Sequence, residues 1–575
     1  MDISVIVCGH NEGRLLHRTL RSVFSSVDYA ISNNANLQIE VILSLDNPDK
    51  ATQSYLENSV YLKKIKIYKN DFEDVALSRN FAIERASGKY VAFLDGDNLF
   101  CKDWLLKAYQ YMLSYKGLYL LHPEYLINFE SRNIIWKRIS STDTRFKFGS
   151  LISFNPWGST VFGTKKTFEE CKFHTFLKNS GWGYVDWDFS CTTLAENIQH
   201  IVVPETVVFA RAKQCGGLSD KIFSENKLLC KNKLFELDRL EKLIKEDGKQ
   251  HSKIQKKSFK HIILEPFPKL HLFLYRLKLY IFRKLNSFNG NKISMPDSIP
   301  SWLYDEWKRI NNQIEPETFP PINGTQGFYI LNPTYENLFA KLYLDMATKM
   351  GNHVIIFPHI KVGGAEKVLF MFIKTINKIF PNDKITVITT ETTESPWRDH
   401  LPFDTSYIDI GNLPNLSKEQ KEKLLIFLLI QLRPENIYVH STLGMILYEK
   451  YGKALSEYSK LYAFMFSRDY DGYGRLLGYV SFFDNIVDYV YKVFTDNTAI
   501  IKFLCNMYGF ESTKFVTLFQ PVELMDISSK KYSRKQPMKL LWASRLDRVK
   551  HPEIAYQIAK ACRDLPIKID MYGSS

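Results

Sequence analysis

The sequence predicts an α/β protein built on parallel sheets. Short apolar runs of strand length, Asp2–Cys8, Gln38–Leu45, Tyr90–Leu94 and His353–Pro358, alternate with amphipathic helical patterns. Each run ends in a polar or acidic loop, the place where open α/β sheets bind ligands. At 575 residues the chain is also too long for one core, and about three or four domains are expected.

The first strand, Asp2–Cys8, leads into Gly9-His10-Asn11-Glu12-Gly13 and then a helix over Arg14–Ser25, with Leu15, Leu16, Thr19, Leu20 and Val23 on one face. Strand, short polar loop and helix form the opening of a nucleotide-binding unit. The second strand, Gln38–Leu45, ends at Asp46-Asn47-Pro48-Asp49. A helix ending at Ser87-Gly88 then precedes the apolar run Tyr90–Leu94, which ends in Asp95-Gly96-Asp97. Taken alone, that tripeptide reads as an Asp-Gly turn. Two carboxylates at a strand end are also hard ligands suited to Mg²⁺ or Mn²⁺, and such an ion neutralises a diphosphate leaving group.

Further on, a helix is expected at Trp104–Tyr115 and strands at Gly117–Leu121, Asn133–Lys137, Val161–Phe162 and Ile201–Ala210. The loop Asn155-Pro156-Trp157-Gly158-Ser159-Thr160 lies among them. The segment Gly181–Phe189 (G-W-G-Y-V-D-W-D-F) packs tryptophans, glycines and carboxylates together. Aromatic faces stack on sugar C–H groups and carboxylates accept hydroxyl hydrogen bonds, so Trp157, Trp182 and Trp187 are acceptor candidates. Core tryptophans and an N-capping Asp186 are the structural alternative. Arg211 and Lys213 precede Gly216-Gly217 and would close over a diphosphate as a lid, or form a basic surface loop.

The order S-R-N, helix, G-x-Y-V-x-F-L-D-x-D resembles the family 2 glycosyltransferases, which have the GT-A fold. The resemblance covers residues 1–220 and implies roles position by position. Asp95 and Asp97 would hold the metal and nucleotide, with Arg79 near the nucleotide. Asn11, Glu12 and Asp46 match positions that hold base and ribose. Asp186 matches the general base, while Val185 replaces the acid that precedes it in the family; Asp188 is the alternative base. The resemblance implies a single inverting displacement on a nucleotide-sugar, with a UDP-sugar the favoured donor by family frequency.

Net charge is +14, which suits acidic partners such as phosphates or anionic lipid. Residues 251–290 hold nine Lys/Arg against one acid, Glu265, so this segment accounts for +8 of the total. Its basic, aromatic and apolar second half is too short and charged to span a bilayer. It would lie at the inner face of the cell membrane, bind a lipid carrier's phosphates, or pack between modules. Nucleic acid fits less well, because the neighbouring motifs are for sugars. The eight cysteines are scattered without C-x-x-C or zinc spacing, as expected of reduced thiols in a cytoplasmic protein. The chain opens directly on a strand with no signal-peptide pattern.

Residues 221–300 are expected to be a helical basic linker, and 301–538 a second Rossmann-like domain. There, His353–Pro358 leads into His359-Ile360-Lys361-Val362-Gly363-Gly364 and a helix over Val368–Ile379. A glycine pair at such a turn lets backbone N–H groups face a ligand. F-P-x-x-x-x-G-G-A-E-K, Y-V-H-S-T-L-G, F-T-D-N and L-L-W-A-S-R-L-D-R-V-K-H-P together are similar to the family 4 glycosyltransferases of the GT-B fold. That resemblance puts Gly363 and Gly364 on the acceptor side and Arg545 and Lys550 on a donor diphosphate. It also implies that 539–575 is the start of a donor domain that is cut short and inactive here.

The combined expectation is a glycosyltransferase of surface polysaccharide synthesis, of capsule or O-antigen type, acting on a glycan or lipid-linked glycan acceptor. A catalytically inactive glycan-binding scaffold, a single-addition enzyme using the second module as a platform, and a nucleotidyltransferase are the rival readings.

Overall fold

The structure is a computed structural model that describes residues 1–114, 117–177, 180–213, 218–255, 300–315, 327–330, 336–519, 537–544 and 551–573. Residues 1–519 form one compact unit and residues 520–575 a second.

The first sheet grows from β1 (Ile3–Gly9), β2 (Ile39–Asp46), β3 (Lys66–Asn70) and β4 (Tyr90–Asp95), which run parallel in the order β4-β1-β2-β3. Alternate residues of β1 serve both faces. Ile3, Val5 and Val7 enter one apolar cluster; Ile6 and Cys8 enter another. A strand covered on both faces has no polar alternation, which explains the continuous run seen in the sequence. The remaining strands are β5 (Leu99–Phe100), β6 (Tyr119–Glu130), β7 (Ile134–Lys137), β8 (Phe162–Thr164), β9 (Gln199–Ala212) and β10 (Gly327–Ile330). They extend the sheet to β10-β7-β6-β8-β4-β1-β2-β3, with β9 beside β6 and β5 paired to β9. The β4–β8 and β6–β8 pairs are antiparallel, so the sheet is mixed.

The helix after β1 runs Leu15–Asn33, beyond the expected Ser25, because Val27 and Ala30 continue its buried stripe. The helix that precedes β4, Val75–Arg85, is capped by Asp74, whose side chain accepts the N–H of Leu77.

The second sheet comprises β11 (His353–Phe357), β12 (Ile385–Thr389), β13 (Ser406–Asp409), β14 (Asn436–Val439) and β15 (Lys460–Phe464). A short hairpin, β16 (Asp469–Tyr470) and β17 (Leu476–Leu477), precedes its last two strands, β18 (Lys492–Thr495) and β19 (Phe515–Thr517). The order β13-β12-β11-β14-β15-β18-β19 is parallel throughout, so strand order reverses between β11 and β14. That is the doubly wound topology expected of the Rossmann-like module. The helix Lys418–Leu432 is held at its start by a Ser417–Gln420 capping box. Residues Leu424–Gln431 of that helix are all buried, which removes the amphipathic signature.

Across the expected boundary at residue 300 the two modules exchange segments. The helix Ser301–Gln313, placed by the sequence in the second domain, buries Leu303, Trp307 and Ile310 in the first module's core. β10 pairs with β7 of the first sheet. Conversely, Leu229, Leu234, Phe235 and Leu240 of the expected linker pack with Phe339, Tyr343 and Phe427 of the second module. The Tyr343 hydroxyl donates to the Phe235 carbonyl at 3.0 Å. Apolar patterning marks these segments as buried without saying against which sheet.

The second unit contains β20 (Met538–Ala543), the helix Pro552–Ala561 and β21 (Ile567–Tyr572), with the strands parallel. These elements form a parallel β-α-β unit. Arg545 and Lys550 lie outside the described residues. So does the 251–290 segment, apart from its first residues at the end of the helix Leu237–Gln255. No helix among the described residues is long and apolar enough to cross a membrane.

Candidate active site

The site forms where β1, β2 and β4 end together. Asp46 closes β2, and its carboxylate accepts the backbone N–H groups of Phe72, Glu73 and Asp74 at 2.8–2.9 Å. These bonds hold the entrance of the helix Val75–Arg85. Asp46 is buried and is occupied as a loop anchor, not as a free group awaiting a base or ribose. Asn11 likewise ties the first loop to the second, its Oδ1 accepting the Asp49 N–H at 2.8 Å. Glu12 accepts the His10 N–H. Burial pushes its carboxyl up, against the pull of that bond and of Lys213.

One turn into the anchored helix, Arg79 points at the end of β4. Its Nη2 donates to Asp95 Oδ1 at 3.0 Å and its Nη1 to Asp186 Oδ1 at 2.5 Å. The arginine side chain is only 4% exposed, whereas Asp95 and Asp186 are each about a third exposed. One guanidinium thus joins the D-G-D turn to a carboxylate 107 residues away on the acidic segment. Burial raises the Asp186 pKa; Arg79 opposes this and the like charge of Asp95 adds to it. A carboxylate kept basic and reachable is suited to take a proton.

The turn packs its glycine closely against β1. The Gly96 N–H donates to the Cys8 carbonyl at 2.7 Å, and a Cβ there would lie 3.0 Å from that oxygen and 3.1 Å from Gly9 Cα. Burial raises the Asp97 pKa against the attraction of Lys213, whose Nζ is 2.8 Å away. Lys213 also lies 4.0 Å from Glu12. Asp186 enters through the helix Val185–Ala195, whose N-cap, Tyr184, adopts a left-handed conformation (φ 60, ψ 45) after Gly183. Negative side chains are favoured in that first turn.

Several expected residues take other places. Arg211 is not a lid. Its side chain is 1% exposed, donating to Glu130 at 2.7 Å and Glu315 at 2.5 Å. Trp157 is fully buried, stacked on His200 at 4.1 Å, with its indole N–H on the Ile139 carbonyl. Trp182 is buried against the second module, stacked on Tyr458 and donating to Glu457. Trp187 is half-buried and donates to the Leu151 carbonyl at 2.9 Å. The first two therefore present no face to a sugar, and Trp187 retains only part of one. Asp188 is 1% exposed and turned away from the solvent that Asp186 meets. Two residues not singled out from sequence complete the site. Ser159 donates to Asp95 Oδ2 at 2.5 Å, and Asn98 bridges Asp95 and the Arg211 N–H. Asn98 follows the D-G-D directly, a signal of proximity; Ser159 is 64 residues away from Asp95 and gave none.

In the second module, Gly363 and Gly364 stand at the start of the helix that follows β11, with nothing within 4 Å of a Cβ placed on Gly364.

Residues 4–169 match the sequence profile described as "Glycosyl transferase family 2". The first module carries a family 2 glycosyltransferase domain. Two curated relatives align within it. An uncharacterized glycosyltransferase of Rickettsia conorii is 35% identical over 104 residues, which is 18% of this chain and 15% of that protein. A Bacillus subtilis glycosyltransferase named for teichuronic acid biosynthesis, TuaG, is 30% identical over 113 residues, 19% of this chain and 42% of that protein. The chain thus spans less than half the length of either. Among solved structures, S. aureus TarS 1–349 with UDP-GlcNAc is similar at 14% identity and a TM-score of 0.31, covering 46% of this chain and 77% of that one. A Pyrobaculum calidifontis mannosyltransferase with GDP-Man and Mn²⁺ has 13% identity and a TM-score of 0.30, covering 53% and 86%.

Proposed function

We propose that the family 2 domain transfers a sugar from a nucleoside-diphosphate sugar to a hydroxyl of a growing surface polysaccharide, with inversion and with a divalent cation. The observation that carries this reading is the Arg79 bridge, which brings Asp95 and Asp186 into one site. Asp186 accepts the proton of the acceptor hydroxyl, and that oxygen attacks the anomeric carbon from the face opposite the leaving diphosphate. Arg79 holds the carboxylate in place and limits the rise in its pKa. Lys213 adds positive charge beside Asp97, where a diphosphate leaving group would gain negative charge.

The donor set fits Mg²⁺ or Mn²⁺. Glu12, Asp95, Asp97 and Asp186 place four carboxylates against two cations, Arg79 and Lys213, and the oxygens are hard ligands. Asp95 and Asp97 would hold the ion, which when bound supplies charge neutralisation to the diphosphate. A UDP-sugar is the donor favoured, and the relative named for teichuronic acid biosynthesis supports a surface-polysaccharide acceptor. The second module is read as the acceptor-side half of a GT-B retaining enzyme, supported by its doubly wound sheet and the open space at Gly364 where the helix after β11 begins.

The test is nucleoside diphosphate release from a panel of nucleotide-sugars with glycan acceptors, with and without Mn²⁺ or Mg²⁺. Turnover of one donor that needs the ion and falls at least about 100-fold in Asp97→Asn is expected. Turnover indifferent to both would overturn the assignment of the D-G-D; no turnover with any donor would favour the scaffold reading.

A further inference from the structure

On the far side of the helix Val185–Ala195, a second polar cluster takes no part in the chemistry above. His174 Nδ1, an Asp188 carboxylate oxygen and Cys230 Sγ all lie within 4.8 Å of one another. Ligand atoms around a tetrahedral zinc are about 3.3–3.8 Å apart, so small side-chain adjustments suffice to share an ion. The three come from separate places: the loop after the helix Lys165–Glu170, the first turn of the next helix, and the segment that enters the second module's core.

Asp188 is the decisive member. It is 1% exposed, yet its Oδ2 has no hydrogen-bond partner. His174 Nδ1 lies 2.6 Å from that oxygen, and the carboxylate raises the imidazole pKa. A buried carboxylate needs a positive partner; a protonated His174 supplies one, and a divalent ion held by both groups would supply another. Its other oxygen, Oδ1, accepts from Asn232 Nδ2 at 3.0 Å and from Cys230 Sγ at 3.1 Å. Gln431 fixes the segment that carries Cys230: its side chain accepts the Asn232 N–H and donates to the Cys230 carbonyl. Supported ligands of this kind are typical of metal sites.

We propose that His174, Asp188 and Cys230 form a zinc site that ties the catalytic module to the segment seated in the second module. Charge favours it. One carboxylate and one thiolate balance a divalent ion, leaving a neutral site at a buried position with imidazole as third ligand. The half-exposed His174 leaves a fourth position open to water. A mixed N, O and S set selects zinc over Mg²⁺ or Mn²⁺, so this ion differs in kind from the one proposed at the D-G-D turn. The site does not depend on the transferase reading.

Co²⁺ titration of the metal-stripped full chain tests it, with Zn²⁺ as competitor. One equivalent of Co²⁺ should produce a thiolate-to-cobalt absorption band that Zn²⁺ abolishes. Cys230→Ser should lose the band, and His174→Ala, a change at a half-exposed side chain, should weaken binding at least about tenfold. Asp97→Asn should leave the band intact, which separates this site from the catalytic one. No thiolate band in wild type, or a band unaltered by His174→Ala, would show that His174 and Asp188 form an ion pair only.

Discussion

Arg79 decides whether the site exists, because two of its nitrogens hold carboxylates from opposite ends of the first module. Since Arg79 lowers the Asp186 pKa that burial raises, the base should be ready above that pKa and lost as pH falls through it. The acid limb of kcat/KM should therefore move to higher pH in Arg79→Met, with turnover reduced; an unmoved limb would mean that the titrating group is not Asp186. At this scale the D-G-D and Asp186 were legible as short strings. The partners of Arg211 were not, since Glu130 and Glu315 stand 81 and 104 residues away. Trp157 misled for a related reason. A tryptophan beside a glycine reads the same whether its ring faces a ligand or, as here, His200.

Strands buried on both faces were legible as apolar runs, and the two parallel sheets followed from their alternation with helices. Helix ends were less so. The helix after β1 continues eight residues past Ser25, because its stripe reaches Ala30 and no breaker intervenes. Between elements, Glu40 of β2 fastens the loop that enters β4. It accepts from Ser4, from the N–H and hydroxyl of Ser87, and from Lys66. Burial pushes its carboxyl up, but these partners outweigh burial and hold it at about 2. Its contribution is full above the ordinary carboxylate pKa and is lost as pH falls from there through about 2. Glu40→Gln should cost about 1–2 kcal/mol at pH 7 in chemical denaturation, and the difference from wild type should narrow as the pH falls from about 5 toward about 2. A gap independent of pH would mean that the carboxylate charge is not what holds the loop.

For residues 1–519 as a whole, the segments that cross between modules are the feature least legible in the sequence. Composition placed a boundary near Pro300, yet the helix Ser301–Gln313 belongs to the first core and Leu229–Leu240 to the second. The contact is close at Gly181, where a Cβ would lie 2.4 Å from the Ala454 Cβ and 2.7 Å from backbone atoms of Ala454. Gly181→Val should therefore separate the surfaces and destabilise the chain by about 1–3 kcal/mol, read as a lower Tm by calorimetry. An unchanged Tm would show that the modules meet loosely.

The most direct measurement of the central claim is transfer of sugar to acceptor by Asp186→Asn beside wild type, with nucleotide affinity measured on both by calorimetry. The account predicts that transfer falls by about 10²–10⁴ while nucleotide binding stays within a few-fold, because Asp186 acts on the acceptor hydroxyl and not on the donor. Transfer at the wild-type rate in the variant would contradict it, and would leave the Arg79 bridge as a structural tie with no catalytic base at its end.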